Sequence, residues 1–290
     1  MNRRELLYLS LAGAAGAILK PNFLRAAVGA AGNNTDQDIF NKIIAKADHL
    51  AALPIGEAMV EIGKTFLGTS YVGNTLDQNT EEQCVVTFTG LDCVTFFEVS
   101  LDMARIIKQK KNTYQDLIDA VTYTRYREGK LTDFTSRLHY TSDWIHDNVK
   151  KKTVESLTRE LGGVPFDKKI DFMSTHPQSY RQLREHPEYV PVIKKFEEEI
   201  SRRATYYIPK KDIHSIESKL HSGDILAFTT SVPGLDCSHT GMVLREDGKS
   251  KLLHASSAKQ KVVISDGTIS EYLEGITKDT GMMVVRPREV

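Results

Sequence analysis

Gly90-Leu91-Asp92-Cys93-Val94-Thr95-Phe96-Phe97 is the stretch on which the fold turns. From Cys93 onward, Val94, Phe97, Leu101 and Ala104 recur at three- and four-residue spacing, so a helix is expected from Cys93 to Lys108. Asp92 stands where an N-cap is wanted. A thiol on the first helical turn feels unpaired N–H groups and the positive end of the helix dipole, which favour thiolate and can hold an oxyanion. The competing reading is a buried, inert thiol. Gly-Leu-Asp-Cys returns at residues 234–237 in front of a strand. Cys237 there reads as a small neighbouring residue, and Cys84 has only apolar surroundings.

Working outward, Ile39, Phe40, Ile43, Ile44 and Leu50 fall at helical spacing between Asp38 and Leu50, and Leu53 to Phe66 continues after Pro54. Thr113 with Asp116 starts a further helix that runs to about Arg127, with Gly129 placed to end it. From Ser136 to Ala204 the chain is polar and broken by Gly162-Gly163, Pro165, Pro177, Pro187 and Pro191, which reads as short helices and loops. After Ile208 the pattern changes. Asp224–Thr230, His239–Leu244, Lys251–Ser256, Lys261–Ser265 and Met282–Arg286 are short, aliphatic and bounded by turn residues, as strands are. The expected class is α+β: a helical N-terminal part carrying the nucleophile helix, then an antiparallel sheet. Residues 29–290 would form one domain, with 110–205 as a helical and loop insertion or cap shaping the cleft.

The 290 residues have ordinary globular composition and balance 38 basic against 38 acidic side chains. Arg3 and Arg4, the small and apolar run Leu6–Leu19 and the small residues Ala26–Gly32 read as a signal peptide over residues 1–28. Arg3-Arg4-Glu5-Leu6-Leu7 also suits a twin-arginine signal; an uncleaved anchor is the alternative, but the run is short for one. Without the leader, 34 basic residues face 37 acidic ones. That gives no basic surplus for nucleic acid. Expected instead is an exported protein of the periplasm or cell envelope, with no stable membrane insertion after signal removal, working as a monomer. Three cysteines without a CxxC pair make neither a disulfide scaffold nor a zinc ribbon.

A cysteine nucleophile needs a base. If Asp247-Gly248 closes a hairpin with an even loop, Glu246 pairs with Lys249, Gly241 faces His254, and His239 faces Ser256. His239 and His254 then become diagonal neighbours on one face, roughly 7 Å apart at the backbone. One can take a proton while the other orients it. An odd loop would turn His254 away, and two polar strand positions on a wet face is the plain alternative.

Taken in order, Gly90-Leu91-Asp92-Cys93-Val94, Ser238-His239-Thr240-Gly241-Met242-Val243 and Leu253-His254-Ala255 resemble the Cys-His-His series of the NlpC-type papain-like cell-wall peptidases. Gly68-Thr69-Ser70-Tyr71-Val72 is similar to that family's upstream motif, which implies a supporting role for Tyr71 beside the nucleophile. Tyr71–Leu76, the doubled Gly-Leu-Asp-Cys and Arg137-Leu138-His139-Tyr140-Thr141-Ser142-Asp143-Trp144 resemble the N-acetylmuramoyl-L-alanine amidase-like branch. Common NlpC-type relatives carry Asp-Cys-Ser-Gly where this chain has Asp92-Cys93-Val94-Thr95, a departure that bears on specificity rather than on the chemistry.

The resemblance implies a peptidoglycan hydrolase without cofactor or metal, acting on muropeptides. Cys93 would attack the amide between the muramic lactyl group, possibly of an anhydro sugar, and L-alanine, with His239 as base and His254 as its support. Arg137, His139, Tyr140, Asp143 and Trp144 are candidate substrate contacts, since aromatic faces stack on sugars and Arg pairs with carboxylates; Trp144 as a core plug is the even alternative. The rivals are an endopeptidase cutting L-Ala-γ-D-Glu or γ-D-Glu-diamino acid bonds, a zinc hydrolase using Cys237, His239 and His254, and a non-catalytic muropeptide-binding protein.

Overall fold

The computed structural model describes residues 35–290, so the leader read over residues 1–28 lies outside the described residues. Helices α1 (Asp36–Ile44), α2 (Ala47–Ala52) and α3 (Ile55–Lys64) open the chain. The single run expected from Asp38 to Leu50 is thus two helices. Next come α4 (Cys93–Lys108), α5 (Tyr114–Arg125) and α6 (Thr141–Lys150). Both α4 and α5 start on the caps seen in the sequence: Asp92 and Thr113 each form a reciprocal box with the residue three positions on.

The middle of the chain is more ordered than its polar composition suggests. Strands β1 (Val154–Ser156) and β2 (Val164–Pro165) precede α7 (Phe172–Thr175), α8 (Arg181–Glu185) and the 14-residue α9 (Tyr189–Arg202). Pro191 does not break α9 because it sits in the first turn, where backbone N–H groups have no intrahelical acceptor. Phe134, Tyr140, Ile170, Met173, Tyr180, Leu183, Ile193 and Ile200 make a small core of their own, to which Leu235 contributes from between the later strands.

Then follow β3 (Tyr206–Pro209), α10 (Ile213–Ile216), β4 (Ile225–Thr230), β5 (Cys237–Glu246), β6 (Lys249–Ser256), β7 (Lys261–Ile264), α11 (Ile269–Glu274) and β8 (Asp279–Pro287). The sheet is antiparallel in the order β2-β3-β8-β4-β5-β6-β7, with β1 also on β8. Strand alternation divides its residues between two layers. Ile225, Ala227, Met242, Leu244, Leu253, Ala255, Met283 and Val285 join α1–α4 in the main core. Leu226, Phe228, Val243, Leu252, Met282 and Val284 join Ile213, Ile216, Ile269 and Leu273 from α10 and α11 on the other face.

Two local features set the register of β5. Asp247 and Gly248 take φ of 50° and 76°, the left-handed pair a two-residue hairpin needs, and Glu246 pairs with Lys249. At the other end a bulge intervenes: Thr229 pairs with Cys237 but Phe228 pairs with His239, so Ser238 is the extra residue. Cys237 therefore falls on the main-core face while His239 shares the face of Phe228. A zinc site built on Cys237, His239 and His254 would need Cys237 and His239 on one face of the strand, and the bulge turns them to opposite faces.

Candidate active site

Cys93 is the first residue of α4. The Asp92 carboxylate accepts from the Val94 N–H at 3.0 Å and the Thr95 N–H at 2.8 Å, leaving the Cys93 N–H outside the cap. The Thr240 hydroxyl, one residue after His239, donates to the Cys93 carbonyl at 2.8 Å. The helix tip is thereby strapped to β5. Tyr71 reaches the same place through the backbone: its N–H donates to Gln260 O at 3.0 Å, Val72 N–H donates to Leu91 O at 3.1 Å, and Leu91 N–H donates to Ser70 O at 3.1 Å. The Gly68–Val72 motif is thus wedged between the approach to the nucleophile and the start of β7.

His239 and His254 meet as the hairpin register requires, His239 Nε2 lying 2.6 Å from His254 Nδ1. The other nitrogen of His239, Nδ1, is buried and has no hydrogen-bond partner among the described residues. Cys93, His239 and His254 are 3%, 7% and 2% exposed, so water reaches the group only narrowly. Burial, and next the Asp92 carboxylate, push the Cys93 thiol up to about 12, outweighing the opposing hydrogen bonds from Thr240 and the Cys93 N–H. The helix start expected to favour thiolate is therefore overridden by desolvation in the resting site. Burial also pulls His239 well below the ordinary imidazole value, with the charge of His254 adding to it, and brings His254 to about 4. Both shifts favour the uncharged forms, thiol and neutral imidazole.

Tyr272 on α11 belongs to the same group and escaped the sequence reading. Its ring lies 5.2 Å from His254 and 6.5 Å from His239, centroid to centroid. Burial raises its phenol, followed by the charges of Asp279 and Cys93. The signal for this helix was present in Thr268-Ile269-Ser270-Glu271, a capping box before Ile269, Tyr272 and Leu273.

The residues of the 137–144 block have internal partners. Arg137 is held by Glu82 at 2.6 Å and Asp77 at 2.9 Å. The His139 ring bonds Phe134 O at 2.7 Å, and burial, then Arg137, lowers its pKa. The Tyr140 hydroxyl donates to Glu197 at 2.6 Å, while Asp143 pairs with Arg127 at 2.6 Å and with Arg203. Trp144 packs edge-on against Phe97 at 5.0 Å and donates Nε1–H to Glu98 at 3.1 Å. Behind the nucleophile helix, Glu98 also carries the buried Arg125 guanidinium at 2.8 Å. These internal contacts make the side chains a brace for α4 and α6.

The second Gly-Leu-Asp-Cys does a related task. Asp236 accepts from the Ser142 N–H at 2.7 Å, filling the N-terminus of α6, whose own Tyr140 provides no side-chain cap. Both aspartates of the repeat cap a helix, one its own and one across the chain.

A sequence model described as AmiA-like, N-acetylmuramoyl-L-alanine amidase-like, matches residues 61–282. The chain belongs to this AmiA-like family. The AmiA-like chain is 34% identical to a solved N-acetylmuramoyl-L-alanine amidase from Bacteroides uniformis, with 81% of this chain and 99% of that one covered and a TM-score of 0.76. It is 35% identical to a Bacteroides fragilis protein provisionally named a xylanase, covering 77% and 98% at a TM-score of 0.73. A Legionella pneumophila protein at 19% identity and a TM-score of 0.67, covering 87% of this chain and 95% of that one, shares the fold. No curated protein matches the AmiA-like chain. All the residues of the group, from Tyr71 to Tyr272, fall inside the matched span. Among the described residues of this AmiA-like chain, no helix is long and apolar enough to cross a membrane, and no three His, Cys, Asp or Glu side chains converge as a metal set.

Proposed function

We propose that this chain is an exported cysteine amidase of papain-like, NlpC-type architecture that releases the stem peptide from the muramic lactyl group of peptidoglycan fragments. The observation that carries the reading is the half-satisfied imidazole: His239 Nε2 is committed to His254, Nδ1 has no partner among the described residues, and the next residue, Thr240, holds the carbonyl of Cys93. That is the arrangement of a base with its orienting partner.

In this reading the thiol meets His239 around the bulged end of β5. The Cys93 proton passes to His239 Nδ1 as Sγ attacks the lactyl carbonyl, and the charge that develops on imidazole is shared through Nε2–H with His254. The Cys93 N–H, left outside the Asp92 cap, and the Tyr71 hydroxyl steady the oxyanion. Collapse of the tetrahedral species breaks the C–N bond, and His239 gives its proton to the departing L-alanine amine. Water, deprotonated by the same imidazole, then cleaves the thioester and frees the muramic acid. The neutral resting pair is consistent with this order, because the proton moves only when a carbonyl is in place to accept the sulfur.

Glycoside hydrolysis, the chemistry of a xylanase, runs on two carboxylates facing across the bond. The reactive groups here are a thiol and imidazoles. Mass spectrometry of a defined muropeptide digested by wild-type and Cys93→Ala protein tests the proposal. Free muramyl sugar from the wild type alone is expected. A retained sugar-dipeptide would move the cut to the endopeptidase position, and equal turnover by Cys93→Ala would remove the nucleophile.

A further inference from the structure

Two aromatic rings, Phe228 and Tyr272, pack against the imidazole pair. Phe228 of β4 stacks on His239 with centroids 6.0 Å apart and planes 12° apart. Tyr272 lies beside Phe228 on the same side of His239, edge-on to His254 at 77°, tilted 33° to His239 and 5.9 Å from Phe228. His239 and His254 are themselves edge to face, 4.9 Å apart. Tyr272 is held firmly for a residue on so short a helix. Ile269 and Leu273, either side of it, are fully buried against the sheet, and Thr268 and Glu271 cap the helix start.

We propose that Tyr272 is a positioning residue whose ring, with Phe228, locks the His239 imidazole in the rotamer that binds His254 through Nε2 and leaves Nδ1 free for the thiol. Phe228 and Tyr272 together flank one side of the His239 ring while His254 holds its Nε2, so the ring keeps its orientation through both contacts. Without the Tyr272 ring, the imidazole gains both room to turn and access to water. This rests on the Cys93–His239 reading for its catalytic meaning, but the ring packing is measurable by itself.

The ionisable groups that bear on Tyr272 are Cys93 on α4 and Asp279 at the start of β8, which burial raises to about 6 against the nearby Lys210. None is removed by changing Tyr272, so a shift in His239 titration reports the ring. Burial is the leading cause of the low His239 value, and removing the Tyr272 ring relieves it.

The test compares wild type, Tyr272→Ala and Tyr272→Phe by NMR titration of the His239 ring, thermal melting, and kcat on a defined muropeptide. Expected for Tyr272→Ala is a His239 pKa moved up toward the ordinary imidazole value and a kcat lowered about 100-fold, the scale of a misplaced catalytic group. Tyr272→Phe, which keeps the ring, restores both. An unchanged His239 titration in Tyr272→Ala overturns the proposal whatever the enzyme's substrate proves to be. Tyr272→Phe as impaired as Tyr272→Ala, with a normal melt, also overturns it, since the hydroxyl would then do the work. If Tyr272→Ala does not fold, Tyr272→Leu supplies the ring-free comparison. Failure of the amidase reading shows separately, as wild-type turnover that survives Cys93→Ala.

Discussion

The Thr240 hydroxyl donates to the backbone carbonyl of Cys93 at 2.8 Å, across 147 positions of sequence. It joins the nucleophile's helix to the strand that carries the base, one residue from His239, and it is buried on the main-core side of β5. Thr240→Val keeps the shape and removes the donor. A stability loss of about 1 kcal/mol is expected in urea melts, with a larger fall in kcat, while Thr240→Ser retains both. Equal kcat in the valine variant would show that the strap does not position the thiol.

The neutral resting pair has a signature in alkylation kinetics. With the Cys93 thiol pushed up to about 12 and His239 held well below its usual range, thiolate grows with pH throughout the accessible range. The rate of Cys93 modification by iodoacetamide should therefore climb continuously from pH 6 to pH 10, about tenfold per unit. A plateau between pH 5 and 8 would reveal a preformed thiolate–imidazolium pair instead.

His254 supports His239 through the 2.6 Å contact between Nδ1 and Nε2. His254→Ala should leave Cys93 accessible to alkylation while lowering kcat by about 100-fold, the low end of what a well-placed proton relay contributes. His254→Asn, which can still accept from Nε2–H, should recover part of that loss. Full activity in His254→Ala would break the assignment of the pair.

Arg137 separates support from substrate contact. Its guanidinium is buried with Glu82 and Asp77, so Arg137→Leu strands a carboxylate inside the protein. The expected cost is about 3–5 kcal/mol of stability, read as a lowered urea midpoint. A normal midpoint with a raised KM would return Arg137 to the substrate surface.

Asp102 sets a pH slope of its own. It is fully buried on α4, accepts from the Thr124 hydroxyl at 2.6 Å, and burial raises its pKa from 3.8 to about 8. Between those values the folded state holds a proton that the unfolded chain has lost. Stability from this group is present below pH 3.8 and is lost as pH rises through 8. Urea midpoints of Asp102→Asn should be flatter than wild type over pH 5 to 8, and an identical slope would refute the buried acid.

How much of this could be read in advance follows the physics of each signal. The α4 start, the α5 box and the Asp247-Gly248 turn are local, written in a few adjacent residues, and they bring His239 and His254 together. The bulge at Ser238 is not local: it arises from pairing with Thr229 and reverses the side-chain direction of Cys237. The inward roles of Arg137 and Asp143 also depend on partners 60 residues away, Asp77 and Arg203. Helix α9 was hidden by Pro191, a breaker in helix interiors that is harmless in a first turn.

The Asp236 contact with α6 carries a consequence for engineering the chain. Cutting out residues 134–205 would remove α6, the helix whose amide Asp236 holds. The buried carboxylate, three positions before His239, would then face an apolar void with one donor gone, and the loosened strand end would reach the imidazole. A minimal version of this protein must therefore keep α6, or replace Asp236 with an uncharged residue in the same step.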